Sequence, residues 1–383
     1  IAHLRDLCKR MKTASPADMA DHLNLDTGPF ELRWERHTEF STYTVFRKGP
    51  SDNPFTDTAL SVVPSDWIES LPGDLLVGAH VALIPREIDA IDRDTIAGHF
   101  GSTDFVGSTV SGGSASVFTD FRLLGDSFGR IVIYEHEHDP NQTGRTFQRV
   151  LEVETYRMMA LLAFPAARNI RPRLTDLESQ MSQVTADIGE PQSSEEESAL
   201  LNRLTNLSAS AEQLAGETEY RFAAARAYHQ IVNNRIDELE EEPYGSQQTL
   251  NSFMARRLEP AMKTCEATQS RLHTLEQRIS RATALLRTRI NVALEEQNAA
   301  LLARMNQRAQ LQLKLQQTVE GLSVVAISYY TVSLLYYVFL AGFESGWPID
   351  PTIATGLAVP VVLFLAWFAL RVLRRRLTGK SAN

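Results

Sequence analysis

Residues 250–343 constrain the fold of this chain most strongly, because their pattern is that of one long helix that continues into a membrane. Apolar residues recur there at alternating steps of three and four, as in a helix packed lengthwise on other helices. We call these residues the seam: Leu258, Ala261, Cys265, Thr268, Leu272, Leu275, Ile279, Ala282 and Leu286. No Gly or Pro occurs between Ala261 and Glu320, so we expect an unbroken stalk.

Two apolar runs follow and predict membrane-spanning helices. Residues 321–343 form a run of 23 uncharged residues. As a helix this run is about 34 Å long, enough to cross a hydrocarbon core of about 30 Å. Residues 352–370 form a second run of 19. Because the connection, residues 344–351, is too short to be a domain, the pair predicts a transmembrane hairpin. Two buried core helices are the alternative.

The charges around these runs predict their orientation. The connection carries Glu344 and Asp350 and neither Lys nor Arg, whereas the residues after the second run carry Arg371, Arg374, Arg375, Arg376 and Lys380. By the positive-inside rule both termini are predicted to be cytoplasmic. From residue 249 onward the chain has 16 Lys and Arg and 8 Asp and Glu, a net charge of +8. Since the whole chain has a net charge of −9, residues 1–248 carry −17. The basic half suits the surface of a lipid bilayer, and the acidic half argues against a nucleic-acid partner.

Residues 1–165 have the pattern of strands covered by a helix. Residues 30–47 alternate between apolar and polar side chains, which predicts long β-structure that is bulged or folded into a hairpin. Further strands are predicted in residues 74–84, 116–124 and 130–134, a connecting helix in 86–99, and a covering helix in 143–164 that stops at Pro165. We therefore expect a cytoplasmic α+β or α/β domain with a mixed or antiparallel sheet.

The remainder of the chain is predicted to be helical. Heptad-like steps indicate a helical hairpin or coiled coil in residues 166–245, and residues 246–320 are the stalk helix. The transmembrane hairpin covers residues 321–370 and a basic cytoplasmic tail covers 371–383. The fold class is thus an α+β or α/β domain, long coiled-coil-like helices and a two-helix membrane hairpin. We expect a homo-oligomer that assembles through the stalk.

The densest group of potential metal ligands is the sequence EHEHD at residues 135–139. At a strand end, His136 and His138 would point the same way, an arrangement that could bind a metal ion. An exposed turn before Pro140 explains the same residues without a metal. No other metal or cofactor is predicted.

Glu35 and His37 could complete this metal site. Together with Glu39 they lie on one face of the strand predicted in residues 30–47, and they would reach the histidines if the two strands pair. The alternative is a half-buried polar face in which Arg33 or Arg36 pairs with carboxylates.

Catalytic motifs are missing from the sequence. It contains no nucleotide-binding motif, nucleophile elbow, zincin helix or cysteine cluster, and its only cysteines are Cys8 and Cys265. No charged residue lies inside either apolar run, so no proton relay is predicted there. Hydroxyl residues such as Ser328 and Thr331 favour helix packing over a pore. We predict a protein that is not an enzyme and that binds a cytoplasmic protein partner.

Five stretches of the sequence resemble a bacterial family of unknown function whose members are described as uncharacterised membrane-anchored proteins. These stretches are residues 32–43, 148–161, 261–267, 285–297 and 311–330. The resemblance extends over nearly the whole chain. It implies attachment to the bacterial inner membrane and supplies neither an activity nor catalytic residues.

The order of the parts is also similar to that of the CorA family of magnesium channels. Those proteins place a cytoplasmic α/β domain, a long helix, two spans and a basic tail in this order. Their Gly-Met-Asn signature is replaced here by Ala341, Gly342, Phe343 and Glu344. Three hypotheses result: a membrane-anchored scaffold or tether, a CorA-like divalent cation channel or transporter, and a hydrolytic or metal-dependent enzyme.

Overall fold

The computed structural model describes residues 1–49, 53–88, 91–123, 125–137, 139–189, 193–346 and 348–378. The chain divides into two compact units, Ile1–Leu286 and Arg287–Asn383. The predicted domain boundaries at residues 165 and 245 both lie inside the first unit. This unit therefore combines the α/β domain, the helical hairpin and the beginning of the long helix.

The first unit begins with a small three-stranded sheet. Helix α1 (Ala2–Met11) is followed by strands β1 (His22–Asp26), β2 (Glu31–Arg36) and β3 (Ser41–Phe46), which pair antiparallel in that order. Leu32 and Trp34 are buried on one face of the sheet, against α1 and Trp67 of helix α2 (Ser65–Glu69). The alternation in residues 30–47 is thus a hairpin, one of the two predicted arrangements.

A second, five-stranded sheet forms the centre of the α/β domain. Its strands are β4 (Ala79–Pro85), β5 (Val106–Val110), β6 (Ala115–Thr119), β7 (Gly129–Glu135) and β8 (Glu242–Pro243). The order is β4-β7-β6-β5-β8, with β4 and β7 parallel and the other pairs antiparallel. The sheet is therefore mixed, as predicted. Its edge strand β8 comes from a part of the chain that follows β7 only after three long helices.

Helices cover both faces of this sheet. Helix α4 (Pro140–Leu161) places Val150 against Ile131 and Ile133 of β7, as predicted for residues 143–164. On the opposite face, helix α3 (Arg93–Phe100) places Ile96 and Phe100 against the core. Because β7 is covered on both faces, its central residues form a continuous apolar run instead of an alternating one.

Gly107 of β5 provides a test of this core. It pairs with Phe118 of β6, and a Cβ atom at residue 107 would lie 2.5 Å from the Phe118 ring. We expect Gly107→Ala to lower the free energy of unfolding by about 1–3 kcal/mol, because Phe118 is fully buried and must move. Urea unfolding followed by circular dichroism measures this. Gly216→Ala is the control: nothing lies within 4 Å of that helical position, so a gain of up to about 1 kcal/mol is expected there. Equal effects of both substitutions would contradict the close contact.

Three long helices form the helical part of the first unit. Helix α5 (Ala163–Ile188) starts two residues after α4 ends, so that Pro165 lies in the first turn of α5, where its missing N–H is tolerated. Helix α6 (Ser194–Glu238) runs antiparallel to α5. Two ion pairs fix this direction, because Arg173 binds Glu217 at 2.8 Å and Arg203 binds Asp187 at 2.7 Å.

The seam packs on these helices of the same chain. Helix α7 (Leu250–Arg257) ends before Pro260, and helix α8 (Glu259–Glu344) follows, so the predicted single helix has one break. Every seam residue except the half-buried Ala282 is buried. Arg271 of α8 binds Glu178 of α5 at 2.6 Å, and Cys265 of α8 lies beside Phe222 of α6. The predicted lengthwise packing is confirmed. The predicted homo-oligomer stays a prediction, and the seam is not free to form it.

The second unit contains the remainder of α8 and helix α9 (Pro351–Thr378). Both are long and apolar enough to cross a membrane, and only 6% and 0% of their apolar windows are buried within the chain. A core helix of a water-soluble protein is mostly buried, so this exposure favours the predicted spans over the alternative of two core helices. Helix α9 continues to Thr378, through most of the segment predicted as a tail.

Candidate functional site

His136, the first of the predicted metal ligands, follows directly after β7. Its Nδ1 lies 2.7 Å from the carbonyl oxygen of Arg86, and its Nε2 lies 2.8 Å from the hydroxyl of Ser116. Since a carbonyl oxygen only accepts, Nδ1 carries a proton and donates it in the hydrogen bond to Arg86. Both ring nitrogens are thus engaged by the protein. The imidazole links β6 to the end of β4, and His138 lies outside the described residues.

The predicted pairing that would bring Glu35 and His37 to His136 is wrong. Glu35 lies on β2, which pairs with β1 and β3, whereas His136 follows β7 of the other sheet. The Glu35 carboxylate binds the Arg33 guanidinium at 2.6 Å, and the His37 ring stacks on Phe40 with 4.5 Å between ring centroids. The alternative, a polar face in which arginines pair with carboxylates, describes this sheet correctly.

Within the described ranges, no group of three or more His, Cys, Asp and Glu side chains is arranged to hold a metal ion. Cys265, one of the two thiols, is buried against α6, and burial raises its pKa to about 11. Such a thiol stays protonated at neutral pH and is a poor nucleophile. Metal binding through His136 and His138 remains a prediction.

Tyr134, His99 and Arg86 form a polar cluster that sequence reasoning missed. The Tyr134 hydroxyl lies 3.0 Å from Nε2 of His99, and the Arg86 guanidinium lies 6.0 Å from the Tyr134 ring centroid. Burial raises the pKa of Tyr134 and lowers the pKa of His99. The neutral imidazole of His99 therefore accepts a hydrogen bond from the Tyr134 hydroxyl, and this bond joins α3 to the sheet. The three residues are widely spaced along the chain, so no local motif indicates the cluster.

A second missed cluster surrounds Glu39 in the turn between β2 and β3. Its carboxylate binds Arg221 of α6 at 3.0 Å and accepts a hydrogen bond from Tyr228. Burial, together with the charge of Glu39, raises the pKa of Tyr228 to about 12. Phe40 packs edge-on against Tyr156 and Tyr228. These contacts anchor the three-stranded sheet on α4 and α6.

Acidification is expected to weaken the first unit. Burial lowers the pKa of four histidines: His3, His80, His99 and His229. The unfolded chain keeps the ordinary pKa of 6.5 and so binds more protons than the folded chain as the pH falls below that value. The free energy of unfolding should therefore drop between pH 7.5 and 5.5, as measured by urea midpoints at both pH values. His99→Gln should reduce the drop, and an unchanged midpoint across this window would contradict the prediction.

The two apolar helices are the remaining candidate site. In the first of them, an open apolar groove of about 370 Å³ is lined by Ile327, Tyr330, Thr331, Leu334, Leu335 and Val338. The Thr331 hydroxyl donates to the carbonyl oxygen of Ile327 at 2.8 Å, so its polarity is used within the helix. The groove consequently fits lipid chains or an apolar helix better than a hydrated ion.

The far end of the second apolar helix has the features of a membrane interface. Arg371 places its guanidinium 5.0 Å from the ring centroid of Trp367. Trp rings and basic side chains occur together at the level of the lipid headgroups. Trp347, which lies in the connection between the two apolar runs, is outside the described residues.

A family model described as "Protein of unknown function (DUF3422)" matches residues 1–377. Neither a curated protein nor a solved structure matches the chain significantly. The match agrees with the resemblance to an uncharacterised bacterial family. No match supports the likeness to the CorA family.

Proposed function

The chain belongs to the family described as Protein of unknown function (DUF3422), and we propose that it is a membrane-anchored scaffold or tether whose first unit binds a cytoplasmic protein. The observation that carries this proposal is the pair of apolar helices at the end of the chain, which are exposed along almost their whole apolar length. Exposed apolar surface of this extent is stable in lipid and unstable in water. The hairpin is therefore the anchor.

The charge distribution supports a hairpin in the bacterial inner membrane with the first unit on the cytoplasmic side. The connection between the spans carries Glu344 and Asp350 without a basic residue, and Arg371 follows the second span directly. Basic residues are retained on the cytoplasmic side, so both termini lie there. The net charge of −17 on residues 1–248 keeps most of the first unit away from anionic lipid headgroups and leaves its surface accessible to a partner.

The way in which the first unit uses its polar side chains supports the role of a scaffold. The imidazole of His136, the carboxylate of Glu39 and the phenol of Tyr134 are each engaged by other protein groups that join one element to another. Such groups stabilise the fold and are not poised for acid–base or nucleophilic chemistry. In this proposal the unit presents a binding surface to the partner.

Purification of the full chain from detergent-solubilised membranes tests the tether. A partner is expected to co-purify in a constant ratio with the full chain and not with a variant that contains residues 287–383 alone. Reporter fusions at both termini should be active on the cytoplasmic side. Recovery of the full chain without a partner would contradict tethering, and reporters on opposite sides would contradict the hairpin topology.

A CorA-like divalent cation channel or transporter is the alternative. It predicts a polar path through the spans, whereas the groove beside Thr331 is apolar. Vesicles reconstituted with the full chain should therefore show no Mg²⁺ influx, as measured with a fluorescent Mg²⁺ indicator enclosed in them. A Mg²⁺ influx that depends on the protein would favour the channel over the tether.

A further inference from the structure

A second apolar face lies on the part of α8 that follows the seam in the sequence. Residues 291–319 are all exposed, so in a single copy this part of the helix has no packing partner within its unit. Six of the ten large apolar residues in residues 291–322 nevertheless fall on one stripe with steps that fit a heptad repeat: Leu294, Leu301, Met305, Leu315, Val319 and Leu322. Each is 52–73% exposed. We call these residues the exposed stripe. Of the other four, Leu302 and Leu311 flank this stripe, and Val292 and Leu313 lie away from it.

Polar residues interrupt the exposed stripe in a regular way. Leu294, Leu301, Leu315 and Leu322 occupy one core position of the heptad, the d position. The alternating a position holds Asn291, Asn298 and Gln312 besides Met305 and Val319. Leu at d with an amide at a is the pattern of a parallel coiled coil of two strands, in which a buried Asn faces its own counterpart and fixes the register.

We propose that a second copy of this chain packs on the exposed stripe and forms a parallel, in-register two-stranded coiled coil over residues 291–322. The amides argue for an identical partner, because Asn298 in an in-register pair meets Asn298 of the other copy. An apolar helix from another protein would bury the same amides without hydrogen-bond partners, which is costly. The occupant is therefore a second copy.

This inference rests on the proposed membrane anchoring. Two copies whose spans insert in one bilayer with the same topology necessarily hold the preceding helices parallel, and confinement to the membrane raises their effective concentration. The contact also approaches the size of a stable interface. A Leu-sized side chain buries about 60–120 Å², so the six apolar core positions give about 360–720 Å² per copy before the amides are counted, against about 800 Å² for a stable interface.

Arg308 is the exception within this pattern. It occupies a d position between Leu301 and Leu315, where two like charges would meet across the interface. Like charges at this distance repel. Arg308→Leu should therefore strengthen the association, whereas the same substitution on a helix that stays single would leave the chain monomeric.

Cysteine cross-linking in isolated membranes tests the proposal. The native thiols, Cys8 and Cys265, are both buried and give little background. Oxidation of Asn298→Cys and of Leu301→Cys is expected to yield disulfide-linked dimers on non-reducing gels, several-fold more than Ala303→Cys or Gln310→Cys, which lie on the opposite side of the helix. Arg308→Leu should raise the dimer fraction of the detergent-solubilised full chain.

The outcomes separate the two proposals. Monomers with all four cysteine variants in the membrane fraction, or equal cross-linking on both sides of the helix, would overturn the coiled coil and leave the anchoring intact. Recovery of the unmodified chain in the soluble fraction would instead overturn the anchoring. Because the four positions are exposed in a single copy, unchanged circular dichroism spectra should confirm that the variants fold.

Discussion

A chain shortened to end at Leu286 is expected in the supernatant after cell lysis and ultracentrifugation, whereas the full chain is expected in the membrane pellet. The shortened chain keeps the whole first unit and loses both apolar helices. Each Leu, Ile, Phe or Val in the centre of a span favours insertion by about 0.3–0.6 kcal/mol, and the two runs together contain many such residues. Immunoblots of the two fractions, before and after extraction with alkaline carbonate, measure the distribution.

The matched control for this experiment removes only residues 379–383. That variant retains both helices and all the basic residues of the tail except Lys380, and it should stay in the pellet. A shortened chain that remains in the pellet would show that the first unit binds membranes by itself. A full chain in the supernatant would contradict the anchor altogether.

The elements that were predicted correctly are those whose sequence pattern is local. The alternation in residues 30–47 specifies a strand pair because it places Leu32 and Trp34 on one face, and those residues are buried. The helix predicted in residues 143–164 and the two apolar runs likewise follow from spacing and length alone. For such segments, the neighbours along the chain carry the information.

The strand β5 illustrates what sequence reasoning could not supply. Its sequence, VGSTV, contains a glycine and two hydroxyl residues and has no clear alternation, yet Ser108 is fully buried. The Ser108 hydroxyl donates to the carboxylate of Glu241, which lies far away in the sequence. The strand is stabilised by non-local partners, and so its own residues do not predict it.

The extension of the candidate metal site to Glu35 and His37 was wrong for a similar reason. Alternation shows which side chains share a face of one strand, but it does not show which strands pair. Glu35 and His136 belong to different sheets, and His136 is satisfied by Arg86 and Ser116. The pattern predicted that Glu35 and His37 lie near His136, and the topology places them in separate sheets.

The seam shows how a correct local pattern can leave its partner undetermined. The steps of three and four predict that Leu272, Leu275 and Ile279 face other helices, but the same steps fit a second copy as well as the same chain. The ion pair between Arg271 and Glu178 identifies the partner as α5 of the same chain. The origin of this packing can be tested through its dependence on protein concentration.

Leu275→Ala is expected to lower the free energy of unfolding by about 2–5 kcal/mol, because the Leu275 side chain is 1% exposed and its removal leaves a cavity between the helices. Leu285→Ala is the matched control, since that leucine lies on the same helix and is 55% exposed. The control should change stability by less than about 0.5 kcal/mol. Urea unfolding of the full chain in detergent micelles, followed by circular dichroism, measures both.

The concentration dependence distinguishes the two partners of the seam. If α8 packs on α5 and α6 of its own chain, the cost of Leu275→Ala should be the same at two protein concentrations that differ tenfold. If the seam instead joined separate copies, the wild-type midpoint would fall on dilution and the cost of Leu275→Ala would change with it; a dimer formed through the exposed stripe alone would leave that cost unchanged. A midpoint that shifts on dilution in the wild-type chain, and no longer shifts in Leu275→Ala, would therefore contradict the intrachain bundle.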